Sequence, residues 1–341
     1  MIKIVVDCFG GDRSPEVNVT GAIKALNEVE DLEVILSGDE ELINKELESL
    51  TYDKERLSIL HAPEVITCHD KPTEAIRRKK ESSLVKAIDL LKNDETVSGL
   101  VSIGSTGAVL SAGVLKVGRI PGVQRPGFCS ILPTMKGGFV AVCDCGANAE
   151  CDPLYLQQFA IMSSLYMQKS QGVKNPRVAL LNIGTEEEKG DTLRKETYQL
   201  LKNTPSINFV GNMESRDLLT GEYDVIVCDG FSGNVLIKST EGACMELMKM
   251  LKKSFMSSLK TKIGALLLKK DMYKIKNLMD YNNYGGGVLL GVKKTIVKGH
   301  GGSKSSAIYH CVKQAYKMEK EKLNSSIAEE VTRITENTVS E

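Results

Sequence analysis

Four short stretches combine residue types that can hold an anion: "GSTG" at residues 104–107, Asn148 at the end of "DCGAN", "FSGN" at 231–234 and the single His300 in "GHGG". Each lies where an apolar, β-branched run gives way to glycine and small polar residues, so each reads as a turn leaving a strand. At a strand-to-helix turn the first backbone N–H groups of the helix point outward and carry positive partial charge. The ligand that suits this is phosphate. Gly104, Ser105, Thr106 and Gly107, with Asn148, Ser232, Gly233 and Asn234, form the candidate phosphate-binding set, and Thr106, Asn234 and His300 are the candidate catalytic residues. One Gly-Ser-Thr-Gly turn alone is a weak signal, because glycine there also lets a helix pack closely on its strand. Its repetition along the chain is what carries weight.

His300 stands between glycines, a setting in which its imidazole can donate to a phosphate oxygen or a developing oxyanion, or serve only the turn. His61 and His310 border apolar runs and read as structural. Asp7, Asp12, Asp144 and Asp229 each flank a glycine turn, which suits Mg²⁺ beside phosphate or, more simply, turn and helix capping. Cys143, Cys145 and Cys151 cluster in "CDCGANAEC", but that spacing is not a zinc pattern and no histidine accompanies it, so buried thiols are expected and no metal. "CFGGDRSPE" is not G-x-G-x-x-G, and "GHGGSKS" lacks the glycine that a P-loop needs before its lysine, which disfavours a bound nucleotide.

The turns are spaced by short apolar runs, "IKIVV", "LEVIL", "LSIL", "GLVSI", "FVAVC", "RVALLNI", "INFV", "YDVIVC" and "TIVK", alternating with helical patterns. Strands apolar on both faces belong in a mostly parallel sheet with helices on both faces, so the fold class is α/β. Ser14-Pro15 and Asp152-Pro153 mark helix starts. In such a sheet the turns collect along one edge, at the carboxyl ends of the strands. No fixed-period repeat or low-complexity linker divides the chain, which predicts one two-lobed catalytic domain over residues 1–320 and a helical or flexible tail over 321–341. Lys plus Arg and Asp plus Glu both total 44, so the formal net charge is zero and no nucleic-acid partner is expected. Nine cysteines without a framework spacing, and no apolar leader or long apolar run, predict a reduced, cytoplasmic setting.

Two stretches depart from the alternation. Arg77, Arg78, Lys79 and Lys80 form a basic run that suits an acidic partner, or is merely a solvated face. Residues 235–282 read as a protruding helical hairpin with an apolar tip at Ala265–Leu268. Between 238 and 276 the chain carries ten lysines against three acids. Its apolar stripe suits a homodimer interface, and Leu266, Leu267 and Leu268 flanked by lysines suit reversible docking on an anionic membrane.

Taken in order, "DCFGGDRSPE", "RRKKESSLV", "GSTGA", "GRIPGVQRP", "LPT", "DCGAN", "NIGTEEEKG", "DGFSGN", "YGGGVLLGV" and "GHGGS" make the chain resemble the bacterial phosphate acyltransferases of the PlsX family, from about residue 2 to about residue 316. The resemblance implies a fold similar to phosphotransacetylases and isocitrate or isopropylmalate dehydrogenases, and a homodimer. It implies transfer of a long-chain acyl group from acyl carrier protein to inorganic phosphate, for phospholipid synthesis, with no cofactor. The basic run then becomes a candidate carrier-binding element. The sequence departs from the family pattern at Cys8, Phe9 and Ser105, and at Gly302, where the family usually has serine. Two other functions fit the same turns: a phosphotransacetylase acting on short acyl-CoA, and a non-catalytic module that binds acyl carrier protein at the membrane.

Overall fold

The computed structural model describes residues 1–279 and 283–339. Its strands are β1 (Ile2–Asp7), β2 (Leu32–Gly38), β3 (Leu57–His61), β4 (Val97–Ser102), β5 (Gly127–Pro133), β6 (Phe139–Cys143), β7 (Arg177–Asn182), β8 (Asn208–Glu214), β9 (Val225–Val227), β10 (Gly287–Leu290) and β11 (Thr295–Lys298). The helices are α1 (Glu16–Glu28), α2 (Glu40–Leu47), α3 (Pro72–Arg78), α4 (Ser83–Asn93), α5 (Thr106–Ala112), α6 (Pro153–Gln171), α7 (Thr192–Lys202), α8 (Gly230–Phe255), α9 (Leu259–Met279), α10 (Ser305–Lys320) and α11 (Leu323–Val339). All strands join one sheet in the order β3-β2-β1-β4-β11-β10-β5-β6-β9-β7-β8. Both faces are covered, as the uninterrupted apolar strands require. Along β1, Ile4 and Val6 enter a core shared with α1, α6, α10 and α11, whereas Val5 enters one shared with α4 and α5.

The sheet is mostly parallel, but its two ends run in opposite directions. β1, β2, β3, β4 and β11 form one parallel set, and β6, β7, β8 and β9 form another. Between them β10 and β5 pair antiparallel with each other and with their outer neighbours. These two strands are absent from the sequence expectation because "GFCSILP" and "GVLL" hold a single isoleucine and a single valine as β-branched residues; cross-sheet pairing, not local propensity, makes them strands.

That reversal corrects the expectation of one shared edge. The register carries a continuous row across the sheet, Val101–Val297–Val288–Cys129–Cys143–Val227. Strands β4 and β11 end one residue past this row, and β6 and β9 end on it from the other side. The two sets of carboxyl-terminal turns therefore flank one row from opposite sides and meet at the middle of the sheet.

Local differences have local causes. Helix α1 starts at Glu16 with Pro15 in the capping position, because Ser14 Oγ instead donates to Asn18 Oδ1 at 2.9 Å and accepts from Gly11 N at 3.2 Å. The hairpin turns at Met256–Ser258, well before the expected tip, and Leu266, Leu267 and Leu268 lie inside α9. Ser258 Oγ accepts from Thr261 N at 3.2 Å and Thr261 Oγ1 accepts from Ser258 N at 3.0 Å, a reciprocal cap that starts α9 there. Gly264, read from the sequence as a break, is accommodated in mid-helix. Residues 280–282 of the expected hairpin lie outside the described residues. The C-terminal segment is helix α11, which buries Leu323, Ile327 and Val331 in the main core; residues 340 and 341 are not described.

Candidate active site

On one side of the central row, three turns pack against each other. Asp7, buried at the end of β1, accepts from Ser102 Oγ at 2.7 Å and from Phe9 N at 3.3 Å, and the Ser102 hydroxyl accepts in turn from Gly104 N at 3.1 Å. Burial pushes the Asp7 carboxyl up to about 6, although hydrogen bonds from Ser83 and Ser102 pull it down. Gly10 has φ +100°, and a side chain there would press on Gly104 at 3.1 Å. Asp12 N donates to Gly301 O at 3.0 Å and Gly299 N to Ser102 O at 2.9 Å, which ties the third turn to the first two. Gly302 has room for a serine: a β-carbon there would approach Asp12 Oδ2 at an ordinary 3.5 Å.

On the other side, Asp144 organises the turn after β6. Its Oδ1 accepts from Phe128 N at 3.0 Å, Gly146 N at 3.1 Å and Ala147 N at 3.0 Å, and its Oδ2 from Asn148 N at 2.7 Å. Asp229 caps α8, accepting from Ser232 N at 2.9 Å and Ser232 Oγ at 2.8 Å while pairing with Arg194. The first turn of α8 sits directly on the Asp144 turn, where a side chain at Gly233 would overlap the Asp144 carbonyl oxygen. These aspartates are turn and helix caps. Among the described residues no three His, Cys, Asp or Glu side chains gather as a metal site.

Between the two sides lies a cavity of about 310 Å³. Thr106 and Gly107 from the start of α5, Gly146, Asn234 from the first turn of α8, and Lys298 to His300 after β11 all line it. Lys238 and Glu241, the next turns of α8, line it too, as do β5 and the glycines before β10. Burial pushes Lys298 down to about 8, with the Lys238 charge acting in the same direction. Burial, then the charges of Lys298 and Lys238, push the His300 imidazole down to about 4. His300 is therefore neutral at pH 7, and its Nε2 lies 3.7 Å from Glu241 Oε1. The Glu241 carboxyl is itself raised by burial. Cys145 reaches the cavity, but burial raises its thiol far above neutrality, and Sγ donates to Phe128 O at 3.0 Å. It is not a thiolate nucleophile.

The structure thus gathers Thr106, Gly107, Asn234 and His300 around one cavity, and not the rest of the candidate set. Gly104 and Ser105 shape the turn behind it without lining it. Asn148 has no donor left for phosphate, because Nδ2 donates to Pro126 O at 2.8 Å and Asp144 Oδ2 at 2.9 Å. Ser232 is spent on the Asp229–Arg194 cap, and Gly233 is needed for close packing. Lys238, Glu241 and Lys298 were missed. In the sequence Lys238 and Glu241 belong to the charge of the hairpin, and only the helical phase of α8 behind "FSGN" places them on the cavity. In the basic run, Arg77, Arg78 and Lys80 are exposed, whereas Lys79 is held by Asp70 at 2.8 Å and by Val65 O at 2.9 Å. Helix α3 begins at Pro72, against which Gly107 packs so closely that an added β-carbon would sit 2.7 Å from it, so the helix starts beside the cavity wall and the run lies at its other end.

The family described as "Fatty acid synthesis protein" matches residues 2–326. A phosphate acyltransferase of Clostridioides difficile (strain 630) is 43% identical over 335 residues, covering 98% of both chains. One of Clostridium novyi (strain NT) is 49% identical over 314 residues, covering 92% of this chain and 94% of its own. In fold, the chain is similar to a phosphotransacetylase from Streptococcus pyogenes, with a TM-score of 0.59 at 17% identity over 93% of this chain and 94% of that one. It is also similar to a 4-hydroxythreonine-4-phosphate dehydrogenase from Klebsiella pneumoniae, with a TM-score of 0.50 at 11% identity over 92% and 96%. The turns, the cavity and near-full-length identity point the same way: the chain belongs to the fatty acid synthesis protein family of phosphate acyltransferases, the PlsX family, and is an enzyme.

Proposed function

We propose that the cavity transfers a long-chain acyl group from the thioester of acyl carrier protein to inorganic phosphate, for phospholipid synthesis. The observation that carries this reading is the gathering of Lys238, Lys298, Thr106, Asn234 and neutral His300 around one cavity whose cysteine is held as a thiol. Phosphate is substantially a dianion near neutral pH and needs no protein base to attack a carbonyl. The cation pair offsets the charge of the nucleophile, while the hydroxyl, amide and imidazole serve as donors to the phosphate and the tetrahedral oxyanion. A phosphate oxygen bonds to the carbonyl carbon, the carbon–sulfur bond breaks, and the proton of the hydrogen phosphate ends on the departing thiolate. The products are acyl-phosphate and free thiol.

The test is acyl-phosphate formation from acyl-carrier and acyl-CoA donors, with and without phosphate and with added chelator. Phosphate-dependent, chelator-insensitive product from the carrier donor is expected, with no acyl-enzyme by mass spectrometry. A trapped acyl-cysteine overturns direct attack; a preference for short acyl-CoA returns the phosphotransacetylase reading; no turnover from any thioester overturns acyl transfer to phosphate.

The hairpin fits a second copy of the chain and an anionic membrane, consistent with a cytoplasmic, peripherally associated homodimer. A groove of about 670 Å³ between α8 and α9, lined by Met248, Phe255, Ala265, Leu266 and Met272, suits the partner protomer. At its turn Met256 and Leu259 are exposed beside Lys253, Lys260 and Lys262. There the membrane contact is proposed, in place of the Leu266–Leu268 tip. Among the described residues no helix is long and apolar enough to cross a bilayer. The double variant Met256→Glu/Leu259→Glu is expected to leave anionic vesicles while keeping activity on soluble donor; wild-type co-sedimentation refutes the contact.

A further inference from the structure

A second cavity, of about 410 Å³, is lined by neighbouring residues of three elements that also line the first. Helix α5 enters the catalytic cavity at Thr106 and the second one at Leu110 and, past its end, Val114. The approach to β5 lines the second cavity at Pro126 and the strand lines the first from Phe128 onward. The turn after β6 gives Cys145 and Gly146 to one and Ala147 and Asn148 to the other. At about 1.5 Å per helical residue, the run from Thr106 to Val114 spans roughly 12 Å.

Arg119 and Arg125 line the second cavity. Of the ten arginines in the chain, seven have a carboxylate within 4.0 Å; among the described residues Arg77, Arg119 and Arg125 have none. The two cavity arginines are positioned by a pinned loop. Ile120 N donates to Gly291 O at 2.9 Å, Lys293 N to Gly118 O at 3.0 Å and Gln124 N to Gln158 Oε1 at 2.8 Å, while Arg119 itself donates to Gln124 O. Arg125 lies over the Tyr155 ring, 5.8 Å from its centre. Guanidinium groups on a fixed loop, with their charge unneutralised, suit a phosphate or phosphodiester, which they can meet with two parallel hydrogen bonds each.

We propose that the cavity at Arg119 and Arg125 binds the phosphate at the far end of the thioester donor's arm, so that the arm lies along α5 and delivers its thioester to the catalytic cavity. This rests on the acyl-transfer reading above. The chemistry recognised is a phosphorylated diamide arm of the phosphopantetheine kind. Free inorganic phosphate offers the same oxygens, and the experiment separates the two sources.

Binding of 4′-phosphopantetheine and of pantetheine is measured by calorimetry on the wild-type protein, on Arg125→Gln and on Arg119→Gln/Arg125→Gln. The single variant guards against a folding defect, since Arg125 makes no side-chain hydrogen bond among the described residues. The phosphorylated arm is expected to bind at least about tenfold more tightly than pantetheine to the wild type, and the double variant is expected to erase the difference. In turnover, the double variant raises KM for acyl-phosphopantetheine by about tenfold and leaves KM for phosphate and for acyl-pantetheine unchanged. Equal wild-type affinity for the two arms overturns the proposal, and so does a rise in KM for phosphate instead of the donor, which makes the cavity an inorganic phosphate site. Failure of the wild type to form acyl-phosphate from any thioester overturns the acyl-transfer reading on which the proposal rests, a result independent of calorimetry.

Discussion

At the scale of single residues, the proposed reaction relies on electrostatics in the cavity and not on a strong base. Thr106 and Asn234 reach it from helices that follow β4 and β9, on opposite sides of the central row. If both orient one phosphate, Thr106→Ala and Asn234→Ala should each lower kcat/KM for phosphate by on the order of 10² with the fold intact. Wild-type kinetics from both variants would remove them from the reaction. Lys298 gives a sign as well as a size. Its ammonium, pushed down to about 8, is charged below that value and neutral above it, so its attraction for phosphate is present at pH 7 and is lost as pH rises through about 8. The alkaline limb of kcat/KM for phosphate should therefore fall near pH 8 and be absent in Lys298→Met, which is also weaker below it. His300, down at about 4, contributes no limb between pH 5 and 8. A limb that survives in Lys298→Met assigns it to another group.

At the scale of elements, α8 is one 26-residue helix with two duties: its first turns build the cavity with Asn234, Lys238 and Glu241, and its last turns pair with α9 outside the body of the protein. The outer part lacks core contacts, so local helix energetics decide its order. Gly264 in α9 has nothing within 4 Å of an added β-carbon, so Gly264→Ala should gain about 1 kcal/mol of helix stability. Amide exchange across α9 should then slow by about fivefold, and unchanged exchange would mean that α9 opens only with a larger unit. Helix α3 offers the complementary test. Arg77 and Arg78 are exposed in the last turn of α3, whose first residue packs on Gly107 at the cavity, so Arg77→Glu/Arg78→Glu should raise KM for an acidic acyl carrier, most at low salt, without changing KM for phosphate. Lys79 is left in place because it holds Asp70. The same salt dependence in variant and wild type would make the run a solvated face.

At the scale of the whole molecule, two parallel sets of strands approach from opposite directions and are joined by β5 and β10, so that their carboxyl-terminal turns confront each other. The seam is tightly filled: a β-carbon on Gly127 would meet Cys143 Sγ and the Phe159 ring at 3.0 Å. Gly127→Ala should cost about 1–3 kcal/mol in global unfolding, as overpacking does, and an unchanged midpoint would show that the seam yields. The sequence by itself determined the α/β class, nine of the strands and the turns that line the cavity, because short uninterrupted apolar runs and glycine punctuation are local properties of the chain. That Thr106, Asn234 and His300 lie on such turns was legible for the same reason. It could not determine that Asn148 and Ser232 spend their donors on Pro126 and Asp229, since a side chain does not disclose its partner until the fold supplies one. Nor could it place Lys238, Glu241 and Lys298 in the cavity, where burial shifts Lys298, or bring Arg119 and Arg125 onto one wall. Those outcomes depend on the register of β10 and β5 and on the depth of burial, and both arise from contacts between residues far apart in the chain.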